Sequence, residues 1–288
     1  MKSINKNSTF SDITEYYLKN CVKDLYAQST YDSYKSKMYN HVLPEIGSKP
    51  LKDVTKFDVQ DLIYNLANEK KLSPTSVRLI YCVLHKIINF ALDMELLEKD
   101  VCRSVKLPKQ TRHTPKIYSQ SVITNLLAIA KNSFLYIVIL LAVRLGLRRS
   151  EILSLRWSDL DLRHATVTIN NGKSNRSIRT LELSKLLLQV LKDHKSEQQS
   201  MLQEHRKKQS GDTLIVCKAD GSPYNPTFVS RKFNELLKAN DLPLIRLHDL
   251  RHSFATHAHN DGMPVKQLAR ALGHVSAAMS VDTYVDDN

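Results

Sequence analysis

The segment Leu247-His248-Asp249-Leu250-Arg251-His252-Ser253-Phe254 carries the densest run of groups able to handle an anion. On a helix His248 and Arg251 are three residues apart and share a face. Leu247, Leu250 and Phe254 form an adjoining apolar stripe that can lock the helix into a core. An Arg and a His fixed side by side on a rigid element can hold two oxygens of one phosphate. Equally, these residues could be a surface ion cluster around Asp249. A third chemistry is a zinc site, because His248-Asp249-Leu250-Arg251-His252 nearly matches HExxH. Zinc chemistry needs the second residue as a general base, where Asp is one methylene shorter than Glu, and a third ligand in a fitting place. Near-matches to so short a motif are common, so no metal is expected. His257 and His259 are read as packing or surface residues.

Three other segments hold reactive side chains. In Leu145-Gly146-Leu147-Arg148-Arg149-Ser150-Glu151, Gly146 lets the chain turn sharply and Arg148 stands where a helix begins, a place that already favours anions. Glu151, three residues on, can orient Arg148 through a two-pronged ion pair. Taken alone, this is first of all an amphipathic helix with surface arginines. Lys173 belongs to Gly172-Lys173-Ser174-Asn175 at a hairpin tip, where a lysine is ordinarily solvated. It gains meaning only if the tip enters a DNA groove, where an ammonium can protonate a leaving oxygen. His274 follows Leu272-Gly273, and Tyr284 comes ten residues later, four from the end of the sequence. A lone tyrosine near a terminus most often packs.

The elements that must hold these groups divide the chain in two. Helical periodicity runs over Phe10–Leu18, from a Ser29-Thr30 cap to about Asn40, over Lys56–Asn68, and along a long helix opened by Ser73-Pro74. Pro44, Gly47 and Pro50 mark a loop. No strand is evident there, so residues 1–103 form a helical domain. Residues 104–118 read as a basic, proline-stiffened linker containing Lys106, Lys109, Arg112 and Lys116. Residues 119–288 are α+β. Helices are expected over 122–130, 134–143, 149–157, 184–207, 227–239 and 248–257, with a last one opened by Pro264 and closed by Gly273. Strands are expected at 166–169, at 178–183 and, briefly, at 214–217. The fold class is therefore mainly α, with a small antiparallel sheet in the second half.

Composition narrows the partner. The 288 residues include 42 Lys and Arg against 29 Asp and Glu, a formal charge of +13. Both halves share it: residues 1–115 hold 18 basic against 13 acidic side chains, and residues 116–288 hold 24 against 16. Duplex DNA, with about one negative charge per 1.7 Å of axis, is the leading partner, and two basic domains suit a chain that wraps it. Cys21, Cys82, Cys102 and Cys217 form no CxxC pair, which points away from a disulfide framework and towards a reducing compartment. No apolar run approaches the roughly 18 residues of a membrane span, and Met1-Lys2-Ser3-Ile4-Asn5 is too polar for a signal peptide. The expected location is the cytoplasm, with no membrane partner.

Taken together and in order, the motifs resemble those of the tyrosine recombinases, the phage integrase family. The family pattern TGLRxSE, a hairpin Lys, HxLRH, LGH and a Tyr nine or ten residues later is met by Arg148 and Glu151, Lys173, His248 with Arg251 and His252, His274, and Tyr284. Leu43-Pro44-Glu45-Ile46-Gly47 resembles the LPxxG loop of the family's helical core-binding domain. Leu145 replaces the usual Thr, and Asp100-Val101 stands where many members have Asn-Pro. The resemblance implies a SAM-like core-binding domain followed by a catalytic domain. It also implies a homotetramer on two double-stranded DNA sites, accessory DNA-bending or directionality proteins, and no cofactor. Tyr284 would be the nucleophile, Arg148 and Arg251 the phosphate clamp, Lys173 the general acid, and His248 and His274 hydrogen-bonding groups. Glu151 and His252 would support them. Two further departures from the family are expected: no extra arm-binding domain before residue 10, unlike the larger phage integrases, and only four residues after Tyr284, where many members have a longer tail that docks on a neighbouring subunit. A tyrosine-type topoisomerase shares the constellation, and a non-catalytic DNA-binding regulator is the alternative from a different class.

Overall fold

The computed structural model describes residues 4–110, 115–170 and 178–273. The chain divides into two compact units, residues 1–113 and 114–288.

The first unit is mainly helical, with an isolated antiparallel bridge between Thr9 and Pro50. Its helices are α1 (Phe10–Tyr17), α2 (Gln28–Lys37), α3 (Leu43–Ile46), α4 (Lys56–Tyr64) and α5 (Pro74–Asp93), with wider turns prolonging α1, α2 and α4. The Thr9 and Thr55 hydroxyls each accept from the backbone N–H three residues on, while Asp12 and Asp58 return the bond to the threonine N–H, so two helix starts are closed reciprocally. Two expectations change here. Helix α2 begins before Ser29, with Ala27 at its cap position and no side-chain cap bond. Residues 43–46 are a helical turn rather than open loop, because Pro44 falls in the first turn, where a missing N–H costs nothing. Helix α5 is long and apolar enough to cross a membrane by length and composition alone. Its stripe of Val77, Ile80, Leu84, Ile87 and Ile88 is instead taken up in the core of this unit. Val105 and Leu107 also pack against that core, and Gln60 exchanges hydrogen bonds with the Lys106 backbone.

The second unit is built around α7 (Leu135–Leu145), which is buried on nearly every side. Packed with it are α6 (Gln120–Ala130), α8 (Arg149–Ser154), α9 (Lys185–Glu204), α10 (Pro226–Ala239), α11 (Asp249–Asn260) and α12 (Val265–Leu272). A three-stranded antiparallel sheet has the order β1 (Leu160–Asp161), β2 (Thr166–Ile169), β3 (Arg179–Glu182), with Val167 opposite Leu181 and Ile169 opposite Arg179. Strand β1, two residues long, is too short to leave a periodic signal. The strand expected at 214–217 forms only isolated bridges, Leu214 with Arg156 and Cys217 with Pro223. That segment is held from the side: Gln198 of α9 accepts from Trp157 Nε1 at 2.7 Å and donates to the Leu214 and Ile215 carbonyls. Helices α8 and α9 both end earlier than expected, at Ser154 and Glu204.

Candidate active site

Helix α7 stops at Gly146, whose φ of 62° is left-handed. A Cβ there would lie 2.5 Å from Phe254 Cδ1, so glycine is required both by the turn and by the close approach of α11. The turn delivers Arg148 to the start of α8. Glu151, one turn later, accepts from the Arg148 backbone N–H at 2.8 Å and from Arg148 Nη1 at 2.9 Å. Glu151 thus orients Arg148 as expected, but through one guanidinium prong and the backbone N–H rather than a two-pronged ion pair.

Glu151 does more than orient one arginine. It is 2% exposed, and Arg179 of β3 grips it with both prongs, Nη1 to Oε1 at 3.1 Å and Nη2 to Oε2 at 2.9 Å. Arg251 Nη1 lies 3.9 Å from Oε2. Burial pushes the Glu151 carboxyl upward, but the Arg179 fork and the Arg148 N–H outweigh it and hold its pKa below the ordinary carboxylate value. One carboxylate thus sits among three guanidiniums and leaves the cluster net positive. Arg148 is the member that reaches the surface, with 34% of its side chain exposed.

Arg251 is 2% exposed and projects from α11 beneath this group. Its Nη1 donates to the Gly146 carbonyl at 2.7 Å and its Nη2 to the Leu272 carbonyl at 2.6 Å, tying together the ends of α7 and α12. Helix α12 closes at Gly273, left-handed at φ 63°, and Arg148 Nη2 stands 3.5 Å from the Gly273 carbonyl. His248 stands at the start of α11, exposed on one side. The protein packed behind its ring, and then the Arg251 charge, lower its pKa from the ordinary histidine value. His252 meets it edge-to-face at 5.0 Å, and burial followed by His248 pushes the His252 pKa down to about 4. Asp249 is buried and is used by Arg246, with Nη2 to Oδ1 and backbone N to Oδ2 both at 2.8 Å. Asp249 does form an ion pair beside the histidines, but its carboxylate is buried rather than at the surface. A carboxylate committed in this way is poorly placed to serve as a zincin base. Among the described residues no group of three His, Cys, Asp or Glu side chains could hold a metal.

Arg148, Arg149, Ser230, Asn234, Arg246 and His248 line a groove of about 480 Å³ between α8, α10 and the entry to α11. Arg149 Nη1 bonds Ser230 Oγ at 2.6 Å across it. The arrangement can receive an anion from the solvent side. Arg148, Glu151, His248, Arg251 and His252 are therefore brought together. Lys173, His274 and Tyr284 lie outside the described residues, as does most of the expected hairpin turn. Arg179 and Arg246 were missed in the sequence. Arg179 did leave a signal: it alternates with Leu181 of β3 and with Leu183 just past the strand, a face where an arginine must find a buried anion.

Residues 116–288 match the model of the phage integrase family, and residues 9–67 match its N-terminal SAM-like domain. The chain belongs to the phage integrase family, the tyrosine recombinases. Among similar tyrosine recombinases and integrases is the ICEBs1 integrase of Bacillus subtilis (strain 168), 28% identical over 97% of this chain and 79% of that protein. A XerC-like tyrosine recombinase of Caldanaerobacter subterraneus subsp. tengcongensis is 23% identical over 96% and 78%. In fold, the Tn1549 transposon integrase in complex with transposon right end DNA superposes with a TM-score of 0.80 at 18% identity, covering 97% of this chain and 96% of that one. A lambda integrase dimer bound to a COC′ core site gives 0.79 at 19% identity, covering 96% and 78%. The mainly helical tyrosine recombinase fold, with a SAM-like first domain and a small antiparallel sheet in the second, is the one these neighbours share.

Proposed function

We propose that this recombinase is a site-specific DNA strand transferase that integrates or excises a mobile element through a covalent tyrosine intermediate. The observation that carries the reading is the buried Glu151 cluster, which presents Arg148 to a basic groove with His248 on its rim and Arg251 beneath. In this reading Tyr284 Oη attacks the scissile phosphorus. The P–O bond to tyrosine forms, the P–O5′ bond breaks, and a 3′-phosphotyrosine remains. Arg148 and Arg251 neutralise the charge that builds on the non-bridging oxygens. His248 and His274 add hydrogen bonds and assist transfer of the proton from Tyr284. Lys173 gives a proton to the departing 5′-oxygen. The ester energy is kept in the adduct, so rejoining needs no ATP. Residues 1–103 serve as the core-binding domain and 119–288 as the catalytic domain, joined by 104–118. Four copies on two DNA sites carry out the exchange, aided by accessory proteins, in the cytoplasm.

The test is covalent capture on a nicked suicide duplex in excess EDTA. The unsubstituted chain is expected to form the adduct, and Tyr284→Phe to lose it while still binding DNA. Adduct from the phenylalanine variant would remove Tyr284 as nucleophile. Activity that returns only on adding zinc or magnesium would restore the metal reading. Recovery of joined DNA from two sites separates a recombinase from a topoisomerase, which would relax supercoils without joining sites.

A further inference from the structure

Arg179 is the one buried arginine of the cluster that neither the family motifs nor the mechanism above employs. Its side chain is 5% exposed, and three of its N–H groups have definite tasks. Nη1 and Nη2 hold the two oxygens of Glu151, and Nε donates to the Ala271 carbonyl at 2.7 Å. The last bond reaches the final turn of α12, and the fit there is tight: a Cβ on Gly273 would lie 2.8 Å from Arg179 Nη1. A single guanidinium therefore touches β3, the carboxylate that orients Arg148, and the backbone just before His274 in the chain. Residues 171–177, which contain Lys173, lead into the strand that Arg179 begins.

We propose that Arg179 is a positioning residue of the strand-transfer site, acting through Glu151 to set the Arg148 guanidinium against the scissile phosphate. This inference rests on the function proposed above. The physical argument is one of geometry. Arg148 is one-third exposed and long, so on its own it would sample several rotamers. Its partner Glu151 is pinned on the opposite side by a planar fork that only arginine provides. With the fork in place, Glu151 has both oxygens committed, and Arg148 has a fixed seat. Without it the carboxylate can swing, and Arg148 swings with it. A displacement of about 1 Å at a reacting centre can cost about 10²-fold in rate. Lysine keeps the charge but not the two-pronged grip, so charge and geometry can be separated at this position.

The experiment uses the full chain with Arg179→Lys and Arg179→Gln. It measures thermal melting, DNA affinity and the single-turnover rate of adduct formation. Two suicide duplexes are compared, one with an ordinary scissile phosphate and one with a neutral methylphosphonate there, which carries less charge for Arg148 to neutralise. Cooperative melting and unchanged affinity are expected, with adduct formation slowed about 10²-fold on the phosphate. The loss should be clearly smaller on the methylphosphonate, and the lysine variant should fare no better than a few-fold above glutamine. An unchanged rate, or an equal loss on both duplexes, would overturn the inference. So would loss of cooperative melting in both variants, which would assign Arg179 to stability alone. If the unsubstituted chain forms no adduct on either duplex, the strand-transfer reading falls and this inference with it, an outcome plainly different from an active parent with indifferent variants.

Discussion

His252 lies beside His248 and Arg251, and burial followed by His248 pushes its pKa down to about 4. Its ordinary value is 6.5. Between those two values the unfolded chain binds a proton at this ring and the folded chain does not. Protonation therefore favours unfolding, and stability is lost as pH falls from about 6.5 towards 4. Glu151 works in the same direction at lower pH. Its folded pKa is below the ordinary carboxylate value, so its contribution is present at neutral pH and is lost as pH drops through the folded value. Urea midpoints at pH 7 and pH 5 are expected to differ for the unsubstituted chain and to draw together in His252→Gln. A variant with the same pH dependence as its parent would show that His252 titrates normally. At the same scale, Glu151→Ala leaves Arg179 and Arg251 buried beside a missing carboxylate. It is expected to cost about 3–5 kcal/mol of unfolding free energy, because breaking a buried pair from one side leaves an uncompensated charge. A loss below about 1 kcal/mol, the scale of an exposed ion pair, would mean that water reaches the cluster.

At the scale of elements, the site depends on two helix ends closed by left-handed glycines, Gly146 after α7 and Gly273 after α12. Arg251 spans both ends by donating to the Gly146 and Leu272 carbonyls. The ends are also sterically joined, since a Cβ on Gly146 would meet Phe254 Cδ1 at 2.5 Å and Leu272 Cδ2 at 2.9 Å. Gly262 is the useful contrast: it too is left-handed, at φ 89°, but a Cβ there meets nothing within 4 Å. Gly262→Ala is expected to cost about 1–2 kcal/mol from backbone strain alone. Gly146→Ala adds overpacking of about 1–3 kcal/mol to a similar strain and should also slow adduct formation, because it shifts the start of α8. Thermal melts and adduct rates of the two variants compare these directly. Equal penalties would mean that the approach of α11 to Gly146 is not a constraint.

At the scale of the whole molecule, each unit has its own core and each half of the sequence carries excess positive charge. Affinity for duplex DNA is expected to fall with salt, log K against log salt having a slope of about −0.9 per phosphate neutralised. If residues 1–103 hold phosphates of their own, the fragment 116–288 should bind more weakly and with a shallower slope than the full chain. Linking two binding units multiplies their effect only when both engage at once. A salt titration of the chain and the fragment on one duplex measures this. Identical slopes would mean that the first unit makes no phosphate contacts.

Much of this architecture follows from local patterning. The apolar stripe of α5, the Ser73-Pro74 and Ser184 helix starts, the β2 alternation and the αL glycines at 146 and 273 are all short-range effects, decided within a few residues. So is the pairing of Arg148 with Glu151, which needs only one helical turn. The order of the motifs sufficed to identify the family. The absence of a strand at 214–217 depended on a neighbour distant in sequence, Gln198 reaching across to the Leu214 carbonyl. The role of Arg179 is of the same kind. Alternation with Leu181 fits an inward-facing position, but only packing β3 against α8 and α12 brought it onto Glu151, 28 residues away. Periodicity can say that a side chain faces a core. It cannot say which buried charge awaits it there, because that partner is supplied by the tertiary fold.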